Sequence, residues 1–217
     1  MNILSIKNVA LTITLAASIF TASAQKKYNE GIISYNISVA GQNVESKCSF
    51  KGDSSLISNQ YGPAKVQMVI KGNFDYFAVL VDVPVASIKK AAVMTPGELE
   101  EAASSAPEYT ITATTETKKI GDYNCKKYIE KDNKSGVSFD AWITTDISLP
   151  ANILTGAFKD ITGTPIQFTY VQQGTPQSIT LVSVSEVKIP AETFSIPKDF
   201  ERVSMDDMKA MMNRGKK

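Results

Sequence analysis

Alternation of apolar and polar residues constrains this chain more than any other feature. In the stretch 31–39, Ile33, Tyr35, Ile37 and Val39 share one parity, while Ser34, Asn36 and Ser38 take the other. After Ala40-Gly41-Gln42-Asn43, residues 44–51 repeat the pattern with Val44, Ser46, Cys48 and Phe50 against Glu45, Lys47, Ser49 and Lys51. A period of two sends successive side chains to opposite faces of a strand, so the two segments predict a hairpin with one wet face. Further strands are expected at 55–60, 65–71, 75–82, 85–93, 108–117, 123–131, 137–144, 165–172 and 178–188, separated by turns such as KGN, DNKSG and QGTPQ. Antiparallel strands joined this tightly make a meander, and the expected fold class is mainly β.

Two helices interrupt the strands. Thr95 can cap the first, with Pro96 at the first helical position and Glu98 closing a capping box; it ends before Pro107. The second is expected at about 204–214, opened by Ser204 with Asp207 three residues on, and carries Met205, Met208, Met211 and Met212 as a stripe. Such a stripe either docks a terminal helix on the sheet or lines a permissive apolar groove with flexible thioethers.

Residues 1–24 read as an export signal. Lys7 supplies a positive start, Val9 to Phe20 an apolar stretch, and Ala22-Ser23-Ala24 a small-x-small site for cleavage after Ala24. The remaining 25–217 are expected to form one β-rich domain, exported to the periplasm and soluble. No later run reaches the roughly 20 apolar residues of a membrane-spanning helix. Only one of the 23 Lys and Arg lies in the signal, so the rest balances its 22 Asp and Glu, and nothing steers the chain to nucleic acid.

The sequence has two cysteines and no histidine. If 123–131 pairs with 137–144, Ile129 faces Phe139 and Cys125 faces Ile143, while Tyr128 falls beside Asp140 and Lys126 beside Trp142. Cys125 then points inward, as Cys48 does on its own strand. In an oxidising compartment the two are candidate disulfide partners; two inert buried thiols are the alternative, and spacing alone does not decide between them.

Gly121 to Tyr128, then AWITTDISLP at 141–150, GTPIQFTY at 163–170 and FSIPKDFERV at 194–203, resemble a family of exported bacterial proteins similar to the LolA-like lipoprotein-carrier superfamily. The resemblance implies a curved antiparallel half-barrel, with one or two helices covering a concave apolar face that can hold acyl chains.

Catalysis finds no foothold. Histidine is missing, and no nucleophile elbow, phosphate loop or metal-ligand spacing appears, so no catalytic residue, metal site or cofactor is assigned and the chain is read as a non-enzyme. The expected function is binding of an apolar ligand, a lipid or lipoprotein acyl chain, by Ile33, Tyr35, Ile37, Phe50, Met68, Ile70, Phe139, Phe168, Tyr170, Met205, Met208 and Met212. These residues serve equally as plain core. The alternative is a ligand-free interaction module with a protein partner in the cell envelope.

Overall fold

The computed structural model describes residues 25–39, 41–72, 74–172 and 174–214; the expected signal at 1–24 lies outside them. Strands β2 (Glu30–Val39), β3 (Gln42–Lys51), β4 (Ser54–Tyr61), β5 (Ala64–Lys71), β6 (Tyr76–Val83) and β7 (Ile88–Val93) form one antiparallel meander. A second comprises β8 (Tyr109–Ile120), β9 (Tyr123–Asp132), β10 (Ser138–Thr144), β12 (Thr164–Gln172) and β13 (Thr175–Ser185). The meanders join where β13 pairs antiparallel with β2, placing β8 at one edge of a 12-stranded sheet. The sheet is large and curved and does not close into a barrel.

The hairpins follow from local chemistry. Val39 opposes Gln42, so the β2–β3 ladder reaches two residues further than the expected start of the second strand at 44, with Gly41 beside it at φ +82°. Helix α1 (Pro96–Ser104) carries the capping box: the Glu98 N–H donates to Thr95 Oγ1 at 3.3 Å and the Thr95 N–H to Glu98 Oε2 at 2.7 Å. Helix α2 (Met205–Arg214) starts where the Asp207 N–H donates to Ser204 Oγ at 3.1 Å.

The long connections do what the alternation could not predict. Between β7 and β8 the chain crosses by way of α1, so the strand following in sequence lies at the far edge rather than next door. Residues 186–200 form a strap along the outer face, where Ile189, Phe194 and Phe200 bury against Val69, Ala78, Leu80 and Ala91. Strand β6 is consequently covered on both faces, which is why Phe77 to Val81 form a continuous buried run. The strap ends in β14 (Glu201–Arg202), which pairs parallel with β7 and becomes the second edge of the sheet, and α2 then turns onto the inner face.

A third connection, 145–163, roofs the other half of that face. It includes β11 (Ile147–Ser148), which pairs parallel with β1 (Lys26–Lys27). It sends Leu154 and Phe158 into the core, where Phe158 meets Phe168 edge to face at 5.3 Å.

The β9–β10 register differs by one residue from expectation. Phe139 opposes Glu130, Ala141 opposes Tyr128, Trp142 opposes Lys127 and Thr144 opposes Cys125. The slip exchanges the faces of β9, so Glu130 and Tyr128 share the side of Ala141. Lys127, now across from Trp142, ion-pairs with Asp140 at 3.0 Å and Glu116 at 3.4 Å. Edge strand β8 accommodates the arrangement with an irregularity between Ala113 and Thr117, where the Thr114 hydroxyl donates to the Lys127 carbonyl.

Candidate functional site

The inner face gathers most of the residues expected to line a ligand site. Ile33, Tyr35 and Ile37 of β2, Phe50 of β3, Ile70 of β5, Phe168 of β12, and Met205 and Met208 of α2 are buried in one apolar cluster, with Met68 and Tyr170 packed against it. Two expected members lie elsewhere. Met212 is 40% exposed, because the buried stripe of α2 runs through Met205, Met208 and Met211 and position 212 falls beside it. Phe139 is half-buried opposite Glu130 and is outside the cluster.

A cleft of about 300 Å³ opens at the rim of the roofing connection, between Ser148–Ala151 and Phe158–Pro165. Its inner end reaches Tyr35, whose hydroxyl accepts a hydrogen bond from Asn152 Nδ2 at 3.1 Å. Asn152 in turn is held by its own loop, its Oδ1 accepting the Leu154 N–H. Burial pushes the Tyr35 phenol far above its ordinary range, so it stays neutral as both donor and acceptor.

Cross-strand pairing carries this row inward from the cleft. Tyr35 opposes Ser46, Ser46 opposes Asn59, and Asn59 opposes Val66. Ser46 and Asn59 are buried, and neither Ser46 Oγ nor Asn59 Oδ1 has a hydrogen-bond partner. The alternation already put Ser46 on the inward parity; Asn59 was legible only through the register of β3 with β4.

Glu130 is another buried polar group that sequence reasoning missed. Beyond Gln167, β12 no longer pairs with β10, and side chains take over its donors: the Thr169 N–H donates to Glu130 Oε2 at 3.2 Å and the Val171 N–H to the Tyr109 hydroxyl at 2.9 Å. Glu130 Oε1 is left without a partner. Burial pushes this carboxyl up to about 7, against the smaller opposing effect of the Thr169 N–H.

The structure corrects the disulfide expectation: both thiols are free and buried. Cys48 lies on β3 and Cys125 on β9, with β2, β13, β12 and β10 between them in the sheet. Burial pushes Cys48 up to about 12 and, with the Asp146 carboxylate adding to it, Cys125 up to about 11, so both are inert thiols. Unfolding without reductant is expected to expose two titratable thiols per chain, while the native protein reacts slowly with the same reagent. A denatured chain that titrates none would contradict this arrangement.

A wider groove, bounded by Asp82, Lys89, Lys90, Asp199 and Glu201, lies beside β14. Its lysines are committed within it, Lys89 to Asp199 at 2.7 Å and Lys90 to Glu201. Among the described residues, no group of three His, Cys, Asp or Glu side chains could hold a metal ion, and no helix is long and apolar enough to cross a membrane.

Fold and cleft together define a broad class, a curved antiparallel sheet roofed on its inner face by a long connection and a terminal helix. No protein-family model matches the chain, and neither does any curated protein sequence. Among solved structures it is similar to PNGF-II in two crystal forms. The TM-scores are 0.50 and 0.51, at 17% and 16% identity, covering 84% of this chain and 32% and 33% of that one. The chain thus spans about a third of the length of PNGF-II. It is also similar to an uncharacterised conserved protein from Thermus thermophilus, with a TM-score of 0.50 and 9% identity over 84% of this chain and 92% of that one. At such identities the likeness concerns the fold alone.

Proposed function

We propose that the protein is an exported, periplasmic binding protein, a half-barrel of the LolA-like kind, that holds an apolar ligand such as a lipid or lipoprotein acyl chain against its inner face. The reading is supported above all by the roof. The inner face is apolar from β7 to β10, yet much of its cover comes from the 145–163 connection and α2, elements outside the main sheet. A cover without ladder hydrogen bonds to the sheet lifts at less cost than a strand, and the cleft ending on Tyr35 marks where it parts. Met205 and Met208 supply thioethers that repack around a guest more readily than branched side chains. Binding, rather than catalysis, suits a chain with no histidine.

A neutral apolar fluorophore, N-phenyl-1-naphthylamine, tests this on the chain beginning at Gln25. Saturable uptake with a dissociation constant of about 1 μM is expected, equivalent to about 8 kcal/mol of binding free energy. Truncation after Val203 removes the burial of Met205 and Met208, worth roughly 2 kcal/mol each, and is expected to weaken uptake at least tenfold while the β signature in circular dichroism persists. Absence of saturable uptake by the full chain would overturn the carrier reading. One observation favours the alternative, an interaction module of the envelope: β8 is a 12-residue edge strand paired on one side only, with backbone groups available to an added strand.

A further inference from the structure

We infer that the buried end of the ligand carries an uncharged hydroxyl, held between Ser46 and Asn59; the inference rests on the carrier reading above and names the chemistry of its ligand. Ser46 is 0% exposed and Asn59 7%, they oppose each other on β3 and β4, and each keeps an oxygen with no protein partner. A buried unpaired oxygen costs roughly 1–3 kcal/mol, and native structures pair nearly all such groups. Two of them side by side within an apolar face form a designed polar spot, since valine or leucine at either position would carry no such cost.

Their surroundings set the charge of the guest. Across the strands the pair is flanked by Tyr35 and Val66. Along the strands the same-face neighbours are Val44 and Cys48 beside Ser46, and Ile57 and Tyr61 beside Asn59. None of these carries a charge at neutral pH. Lys90 stands on the same row only beyond Val66 and Val81, and is already paired with Glu201. An ionised carboxylate placed here would be desolvated without a counter-charge and would face the acceptor oxygen of Asn59. A hydroxyl donates to Asn59 Oδ1 and accepts from Ser46 Oγ, answering both orphans with one group. The row Tyr35–Ser46–Asn59 runs across the strands from the residue at which the cleft ends, so an aliphatic alcohol entering past Tyr35 would bring its head to the pair. Neither orphan oxygen is reached by solvent, so entry requires the side chains over the pair to move aside.

Displacement of N-phenyl-1-naphthylamine from the full chain beginning at Gln25, at pH 8, separates the possibilities using 1-dodecanol, its methyl ether and dodecanoate. The ether is uncharged and accepts but does not donate, so comparing it with the alcohol isolates the hydrogen bond from simple apolarity. Dodecanol is expected to displace the probe at least tenfold more effectively than either. In the Ser46→Ala/Asn59→Leu double variant, and to a smaller degree in Ser46→Ala alone, alcohol and ether should become equal within threefold while the probe still binds. Equal displacement by alcohol and ether on the unaltered chain would overturn the inference and leave the carrier reading intact. So would a double variant that keeps the preference for the alcohol over the ether, which would place the hydroxyl elsewhere. A full chain that takes up no probe would overturn the carrier reading and this inference together.

Discussion

Replacing Gly31 with alanine is expected to destabilise the fold by about 3 kcal/mol, lowering the melting temperature by roughly 10 °C. Gly31 sits at the second residue of β2, opposite Phe50 and against the end of β13. A methyl group there would lie 2.3 Å from the Ser185 carbonyl oxygen and 3.3 Å from its carbon, both backbone atoms with no rotamer to escape into. The clash falls where β13 pairs with β2 and the two meanders meet, so relief would have to part the junction of the whole sheet. Urea titration followed by tryptophan fluorescence from Trp142 checks it. A loss below about 1 kcal/mol would mean that β13 can shift freely and that the junction is looser than described.

Glu130→Gln is expected to stabilise the protein at pH 8.5 by on the order of 3 kcal/mol and to change little at pH 4. The carboxyl titrates near 7 in the fold against an ordinary value near 4.5, so the folded state holds its proton more tightly than the unfolded one. That contribution is fully present below about pH 4.5, declines as pH rises, and is lost above about 7. Glutamine keeps an acceptor for the Thr169 N–H and removes the ionisation, so the slope between those values should flatten. Glu30 works in the opposite window: its hydrogen bonds with Lys188 and the Ile189 N–H hold it down to about 2, and its contribution is present above about pH 4.5 and lost as pH falls toward 2. The wild-type protein is therefore expected to be most stable in mildly acidic solution. Equal slopes for Glu130→Gln and wild type from pH 4.5 to 8.5 would show that the carboxyl is solvated.

How much of this was legible depends on the range of the interaction involved. The β2–β3 hairpin, the capping box of α1 and the Ser204 start of α2 each rest on residues a few positions apart, and each lies where the sequence pattern put it. The β9–β10 register is a short-range feature too, yet it slipped by one. Tyr128, Glu130, Lys127 and Ile129 present two faces of similar mixed polarity, so alternation there does not choose between them.

The inward set on β2 and β3 was fixed by amino-acid order alone, because period-two hydrophobicity leaves a strand with one buried face no second solution. Separation of Cys48 from Cys125, the strap that hides β6, and the meeting of Ser46 with Asn59 inside an apolar face were decided by tertiary structure. These depend on where a chain of this length crosses from one edge of the sheet to the other. That choice is made by the total apolar area buried between distant segments, to which no local stretch of residues is sensitive.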